Sequence, residues 1–465
     1  VERFIGLVGI VAIFVLAYAM SNNRRAIDRR LVVSGLCLQI VFALFILKTP
    51  WGQSLFQFLG HAVEVLLGFA SRGASFVLGP LNDGEKMTAL FGPGGAFIFA
   101  FKLIPTLIFV SACSALAYHV GLMQKIVAAI AWIIYRLMGA SGTEATSNAA
   151  SVFIGMLEAQ LLIKPFLARA TQSELLAILA GSMACISGGL MAVYMQMGIA
   201  AEFMMAASVM AIPGALVIAK IVYPEVEKSE TRAGLTLRVE RRAVNALDAV
   251  ATGAVDGLKV GVAASAVLIA VIACVAMLDF GIAKFGTLLA GLFFAADEPA
   301  ILATMDLRSL SLSSVLGALF YVPALLMGVP ASDAAIVGGL MGTKLVVNEF
   351  VAYSQMAPLL EAGKLAPRSE LIATFALCGF ANFGSVAILI GGVGGMAPER
   401  RHDLARLGLR AMVCGTLASY LAASLVGVMH GGTAAGDDAA SAVVVMLCAV
   451  GVIGWCSRRA ARGAT

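Results

Sequence analysis

Along most of this chain, apolar residues follow one another for lengths that would cross a bilayer, with polar residues collected between them. Runs of spanning length lie at about 3–20, 31–47, 97–118, 173–197, 199–222, 259–279, 368–393 and 404–429. A ninth, 440–456, is short but uncharged. Other segments have a different texture. Residues 51–80 mix polar and apolar positions at helical spacing, which predicts a helix lying in the membrane interface. Residues 121–138 and 305–325 read the same way. The first run, Phe4 to Met20, lacks a basic lead-in and a small-residue cleavage site, and is expected to be a retained span.

Basic loops set the orientation. Arg24, Arg25, Arg29 and Arg30 follow the first run, Lys228 to Arg242 the fifth, and Arg400 to Arg410 the seventh. Placing all three loops in the cytoplasm puts the N-terminus outside. The order then works only if 140–168 and 330–360 enter and leave on one side, as re-entrant hairpins. The first would enter from the cytoplasm and the second from outside. Hairpin, span, span thus occurs twice in opposite orientation, at 140–222 and 330–430. The plan is an inverted repeat, typical of secondary transporters, with a site near the midplane.

Composition narrows the classes. The 465 residues are 60% hydrophobic and 13% charged, with mean hydropathy +0.95. A soluble domain carries about 25% charged residues, so the chain is read as an all-α polytopic membrane protein. The formal charge of +5 sits in short loops and gives no reason to expect nucleic acid. The 8 cysteines are scattered without a CxxC pair, and the 4 histidines have no ligand spacing. No phosphate-binding GxxxxGK[ST] loop and no nucleophile–base constellation is visible, so neither an ATP-driven pump nor an enzyme is expected.

Two carboxylates stand in these lipid-grade stretches, Glu158 and Glu349. A charged side chain at bilayer depth costs about 2.5–3.5 kcal/mol on insertion scales and faces protein or water. Structural ion pairs, Glu158 with Lys164 and Glu349 with Lys344, are the alternative reading. A second polar group, Gly379-Phe380-Ala381-Asn382-Phe383-Gly384-Ser385, interrupts the seventh run. The i,i+3 spacing predicts Asn382 and Ser385 on one helix face, offering donors and acceptors to a hydroxylated ligand or to a neighbouring helix. Gly338/Gly342 and Gly391/Gly395 read as helix-packing pairs.

With these residues in view, the chain resembles the bacterial-type concentrative nucleoside transporters. The matching stretches are GTKLVVNEFVAY at 342–353, ALCGFANFGS at 376–385, GGVGGMAPERR at 391–401 and IGMLEAQLLIKP at 154–165, within a likeness covering roughly 30–430. The resemblance implies a homotrimer embedded in lipid, in which a transport domain moves against a trimerisation scaffold. Scaffold is expected in 1–138 and 223–329, transport repeats in 139–222 and 330–430, and an extension with a possible extra span in 431–465. It further implies that Glu349, Asn382 and Ser385 bind ribose hydroxyls and that Phe380 lines the sugar.

The base side departs from the family, which reads Gly-Gln-Thr-Glu-Ala-Pro where this chain has Gly155-Met156-Leu157-Glu158-Ala159-Gln160. Only Glu158 survives among the polar base contacts, with Leu190 as the apolar one. The ion side departs too. Ser151, Ile154, Cys185 and Ile186 occupy the sodium-site positions, and a thiol is a poor ligand for a hard cation. The coupling ion is therefore left between H+ and Na+, and no other cofactor is implied. The expected function is ion-coupled nucleoside import by an elevator-type mechanism. Alternatives are carriage of another ribosylated or hydroxylated metabolite, or a membrane receptor that binds without translocating.

Overall fold

A computed structural model describes residues 2–92, 98–232, 243–293 and 310–430. The proposed ninth span, and most of the basic residues between Lys228 and Arg242, lie outside them. Every regular element among the described residues is helical. Helices α1 (Glu2–Ala19), α2 (Arg29–Lys48), α3 (Pro50–Leu78), α4 (Gly84–Phe91), α5 (Phe99–His119) and α6 (Leu122–Met138) come first. Local chemistry sets their ends. Asp28 accepts from the Arg30 and Leu31 amides to start α2, and Thr49 followed by Pro50 starts α3.

The first repeat holds α7 (Gly142–Ser151), the short turns α8 (Glu158–Leu161) and α9 (Lys164–Leu167), α10 (Gln172–Ala184), α11 (Gly188–Gln196) and α12 (Ala201–Val222). After the long α13 (Ala246–Phe293) and α14 (Leu312–Leu326), the second repeat holds α15 (Ala334–Val346), α16 (Glu349–Glu361), α17 (Pro367–Leu377), α18 (Phe383–Met396) and α19 (Arg401–Met429). In both repeats the hairpin and two following spans appear in the predicted order.

The structure differs from the sequence reading at two spans. The runs 173–197 and 368–393 are not continuous helices. Each is broken, between Ala184 and Gly188 and between Leu377 and Phe383. The breaks lie on one another. Gly379 has φ +132°, and a Cβ there would fall 2.7 Å from the Ala184 carbonyl oxygen and 2.8 Å from that of Met183. Only glycine lets backbone meet backbone so closely in that conformation. Side-chain hydrogen bonds cover the irregular segments: Ser419 donates to the Cys378 carbonyl at 2.8 Å, and Lys344 to the Ala376 carbonyl at 2.8 Å.

Helices α10, α12, α17 and α19 pack together as the core, with α1 against α19 and α2 against α12. The paired helices α5 and α13 form a second body, and most of the length of α13 is exposed, including Ile269, Met277 and Phe280. Gly338 and Gly342 do serve packing, meeting Phe320 and Leu316 of α14. Gly391 and Gly395 do not: a Cβ at either would meet open space, and α18 instead makes its close approach at Gly392, against Leu157.

Candidate substrate site

The hairpin of the second repeat turns between α15 and α16. Asn348 caps α16, its side-chain oxygen accepting from the Val351 amide at 2.9 Å. That cap places Glu349 on the first turn, where the helix dipole favours a negative charge. The seventh run breaks beside it. Asn382 caps α18 in the same way, accepting from the Ser385 amide at 2.8 Å. Asn382 and Ser385 are therefore neighbours through a cap, not through a shared helix face as their spacing predicted.

These two caps bring the polar groups together. The amide of Asn382 donates to Glu349 Oε2 at 3.1 Å. Its orientation is fixed, because the other end of the same amide is spent on Ser385. The Tyr194 hydroxyl, from α11 in the first repeat, donates to Glu349 Oε1 at 3.1 Å. Tyr194 is fully buried against Tyr353 and Phe350, with ring centroids 4.7 and 5.8 Å away. Glu349, Asn382, Ser385 and Phe380 are all buried. The Lys344 ammonium donates to the Ala376 carbonyl, and no contact ion pair joins it to Glu349 among the described residues.

The first hairpin behaves differently. Glu158 is exposed, and its carboxylate folds over Gly155, where an added Cβ would collide with it. Lys164 is also exposed, and no ion pair joins the two among the described residues. Leu157 packs into the space left by Gly392 of α18, so the tip of one repeat touches the other. Met156 and Leu190 are half-buried, and Leu190 lies one helical turn before Tyr194 on α11.

Gln160, where the family carries proline, is fully buried and cross-links this hairpin. Its amide donates to Ser182 Oγ at 2.6 Å and to the Met156 carbonyl at 3.1 Å, and it accepts from Ser147 Oγ at 2.9 Å. Ser151 joins the edge of this network, donating to the Ser147 carbonyl at 2.8 Å and lying 3.5 Å from Ser182 Oγ. Cys185 turns to α12, its thiol 3.8 Å from the Ser208 carbonyl, and Ile186 is fully buried beside it. Of the positions compared with a sodium site, Ser151 and Cys185 are thus engaged with different neighbours. Sequence reasoning missed Tyr194, Gln160 and Ser182. Gln160 carried a signal, since a lone amide in an apolar stretch needs buried partners.

Three family models match the chain. They are described as the N-terminus of Na+ dependent nucleoside transporters (residues 8–81), nucleoside recognition (100–201) and the C-terminus of Na+ dependent nucleoside transporters (203–427). The chain is 37% identical to the uncharacterized transporter YutK of Bacillus subtilis, over 91% of this chain and 98% of that protein. It is 33% identical to the nucleoside permease NupC of Helicobacter pylori, over 91% and 97%. Among solved structures, CNTnw in an inward-facing substrate-bound state aligns with TM-score 0.84 at 35% identity, covering 93% of this chain and 100% of that one.

Proposed function

The chain belongs to the family of Na+-dependent nucleoside transporters, and we propose on that basis that it imports nucleosides across a bacterial inner membrane as an ion-coupled secondary transporter. The observation that carries this reading is the buried Glu349 carboxylate, held by Tyr194 and Asn382 where the N-termini of α16 and α18 meet. A fixed carboxylate accepts both O–H bonds of a vicinal diol, which suits ribose. Ser385 and Phe380 would complete the sugar side. Met156, Leu157, Glu158 and Leu190 would face the base, with Gly155 leaving room for the Glu158 carboxylate. Ser151, Ile154, Cys185 and Ile186 are the positions at which a coupling ion would be sought.

The two repeats would form the moving body, and 1–138 with 223–329, which include the paired α5 and α13, the scaffold. The exposed apolar length of α13 supports a homotrimer, with the remaining apolar surface covered by lipid. The assay is counterflow of radiolabelled uridine and adenosine in proteoliposomes. Accumulation driven by internal unlabelled nucleoside is the expected result. Binding without counterflow would instead indicate a receptor. The apolar pair Met156–Leu157 leaves open another riboside as cargo, and thermal stabilisation across a panel of nucleosides, nucleobases and sugars would identify it.

A further inference from the structure

We propose that Tyr194 is a positioning residue for ribose recognition: its hydroxyl sets the plane of the Glu349 carboxylate so that both oxygens meet a vicinal diol. The inference rests on the nucleoside reading above. Each oxygen of Glu349 holds one protein donor, Tyr194 on Oε1 and Asn382 on Oε2, both at 3.1 Å. Each oxygen keeps a second lone pair for a ligand hydroxyl. The two donors arrive from opposite repeats, so the carboxylate is pinned at both ends.

Neither donor is free to wander. Asn382 is locked by its cap on Ser385. Tyr194 is fully buried, and its ring is held against Tyr353 and Phe350. Tyr353 is itself anchored, donating to the Thr374 carbonyl at 2.9 Å. Without the Tyr194 hydroxyl the carboxylate would be hinged on Asn382 alone and would turn about its terminal torsion, which is intrinsically soft. A diol that needs both oxygens in one plane would then lose one of its bonds. A ligand with a single hydroxyl at this edge needs only one oxygen and would lose little. Tyr194 would thus govern how strongly the site distinguishes a ribonucleoside from its deoxy analogues.

The test is Tyr194→Phe, which keeps the ring and removes the donor. Binding of uridine, 2′-deoxyuridine and 3′-deoxyuridine is measured in detergent, with thermal unfolding as a check on the fold. In the variant, uridine affinity should fall about tenfold, the loss of one charge-assisted hydrogen bond. The two deoxy ligands should change by less than about threefold, as ligands that do not use the lost bond. Replacing Tyr194 by 4-aminophenylalanine, which restores a donor on the same ring, should recover the parental preference. An equal loss for all three ligands, no loss at all, or failure of the amino analogue to restore discrimination would overturn the assignment. So would a destabilised Tyr194→Phe accompanied by an amino analogue that folds normally but does not discriminate. A parent that binds none of these nucleosides would instead defeat the functional reading itself.

Discussion

Glu349→Gln isolates charge from shape at the centre of the site. Glu349 is 5% exposed and has a donor on each oxygen. Asn382 cannot reverse its amide, because its oxygen is bound to the Ser385 amide, so it will always offer N–H to residue 349. Glutamine can answer by turning its own oxygen to Asn382 and its NH2 to Tyr194, whose hydroxyl can accept as well as donate. The variant therefore keeps its internal hydrogen bonds and should fold. What it loses is charge toward the ligand and one of the two acceptors. A hydrogen bond to a charged group contributes about 1.5–3 kcal/mol and a neutral one about half that. Over two ribose hydroxyls the difference comes to roughly 2–3 kcal/mol, or a 30–150-fold weaker Kd. Calorimetric binding of uridine, with a melting curve on the same sample, reads both quantities. An unchanged melting temperature with weakened binding is the expected result. Binding at parental affinity would refute the ribose-clamp argument, and loss of folding would refute the claim that glutamine satisfies both neighbours.

Gly379→Ala should destabilise the protein by about 1–3 kcal/mol or more, because φ +132° strains a side chain and its Cβ would press on the Ala184 carbonyl; a lowered melting temperature checks this. Met156→Gln should raise selectivity for uridine over adenosine in competition uptake, since it restores a hydrogen-bonding group at a half-buried position of the tip. Leu157→Thr should cost roughly 1–2 kcal/mol of stability through lost contact at Gly392, whatever its effect on selectivity. Uptake driven by a proton gradient should persist when sodium is replaced by choline, because Cys185 offers sulfur, turned toward the Ser208 carbonyl, where a hard cation prefers oxygen. Strict dependence on sodium would sink that expectation.

The order of hairpins and spans was legible because charges and glycines interrupt apolar runs at 140–168 and 330–360. Glu349 and Asn382 stood out for the same reason, as polar groups where lipid would not tolerate them. The helix break at Cys185–Ser187 was not legible. Ser187-Gly188-Gly189 is a weak local breaker inside an otherwise apolar run, and the break is supported by a backbone from the other repeat, at Gly379, which no local window contains. The spacing of Asn382 and Ser385 suggested proximity for the wrong reason, since a cap and a helix face give the same three-residue interval. Tyr194 was missed because a tyrosine in an apolar helix reads as core until its hydroxyl is seen to reach a carboxylate 155 residues away.

The Gln160 network has a bearing on how such a hairpin can change over generations. Ser147, Gln160 and Ser182 satisfy one another in a buried setting. Changing Gln160 alone would leave the Ser147 hydroxyl without its acceptor, at about 1–3 kcal/mol for a buried group left unsatisfied, while Ser182 still donates to the Ile178 carbonyl. Changing Ser147 alone would strand the amide oxygen, whereas changing Ser182 would leave the NH2 one bond, to the Met156 carbonyl. Replacing all three by apolar residues of matching shape would cost far less than the sum of the single steps. The three positions are therefore epistatic, and a lineage would cross a fitness valley if it altered them one at a time.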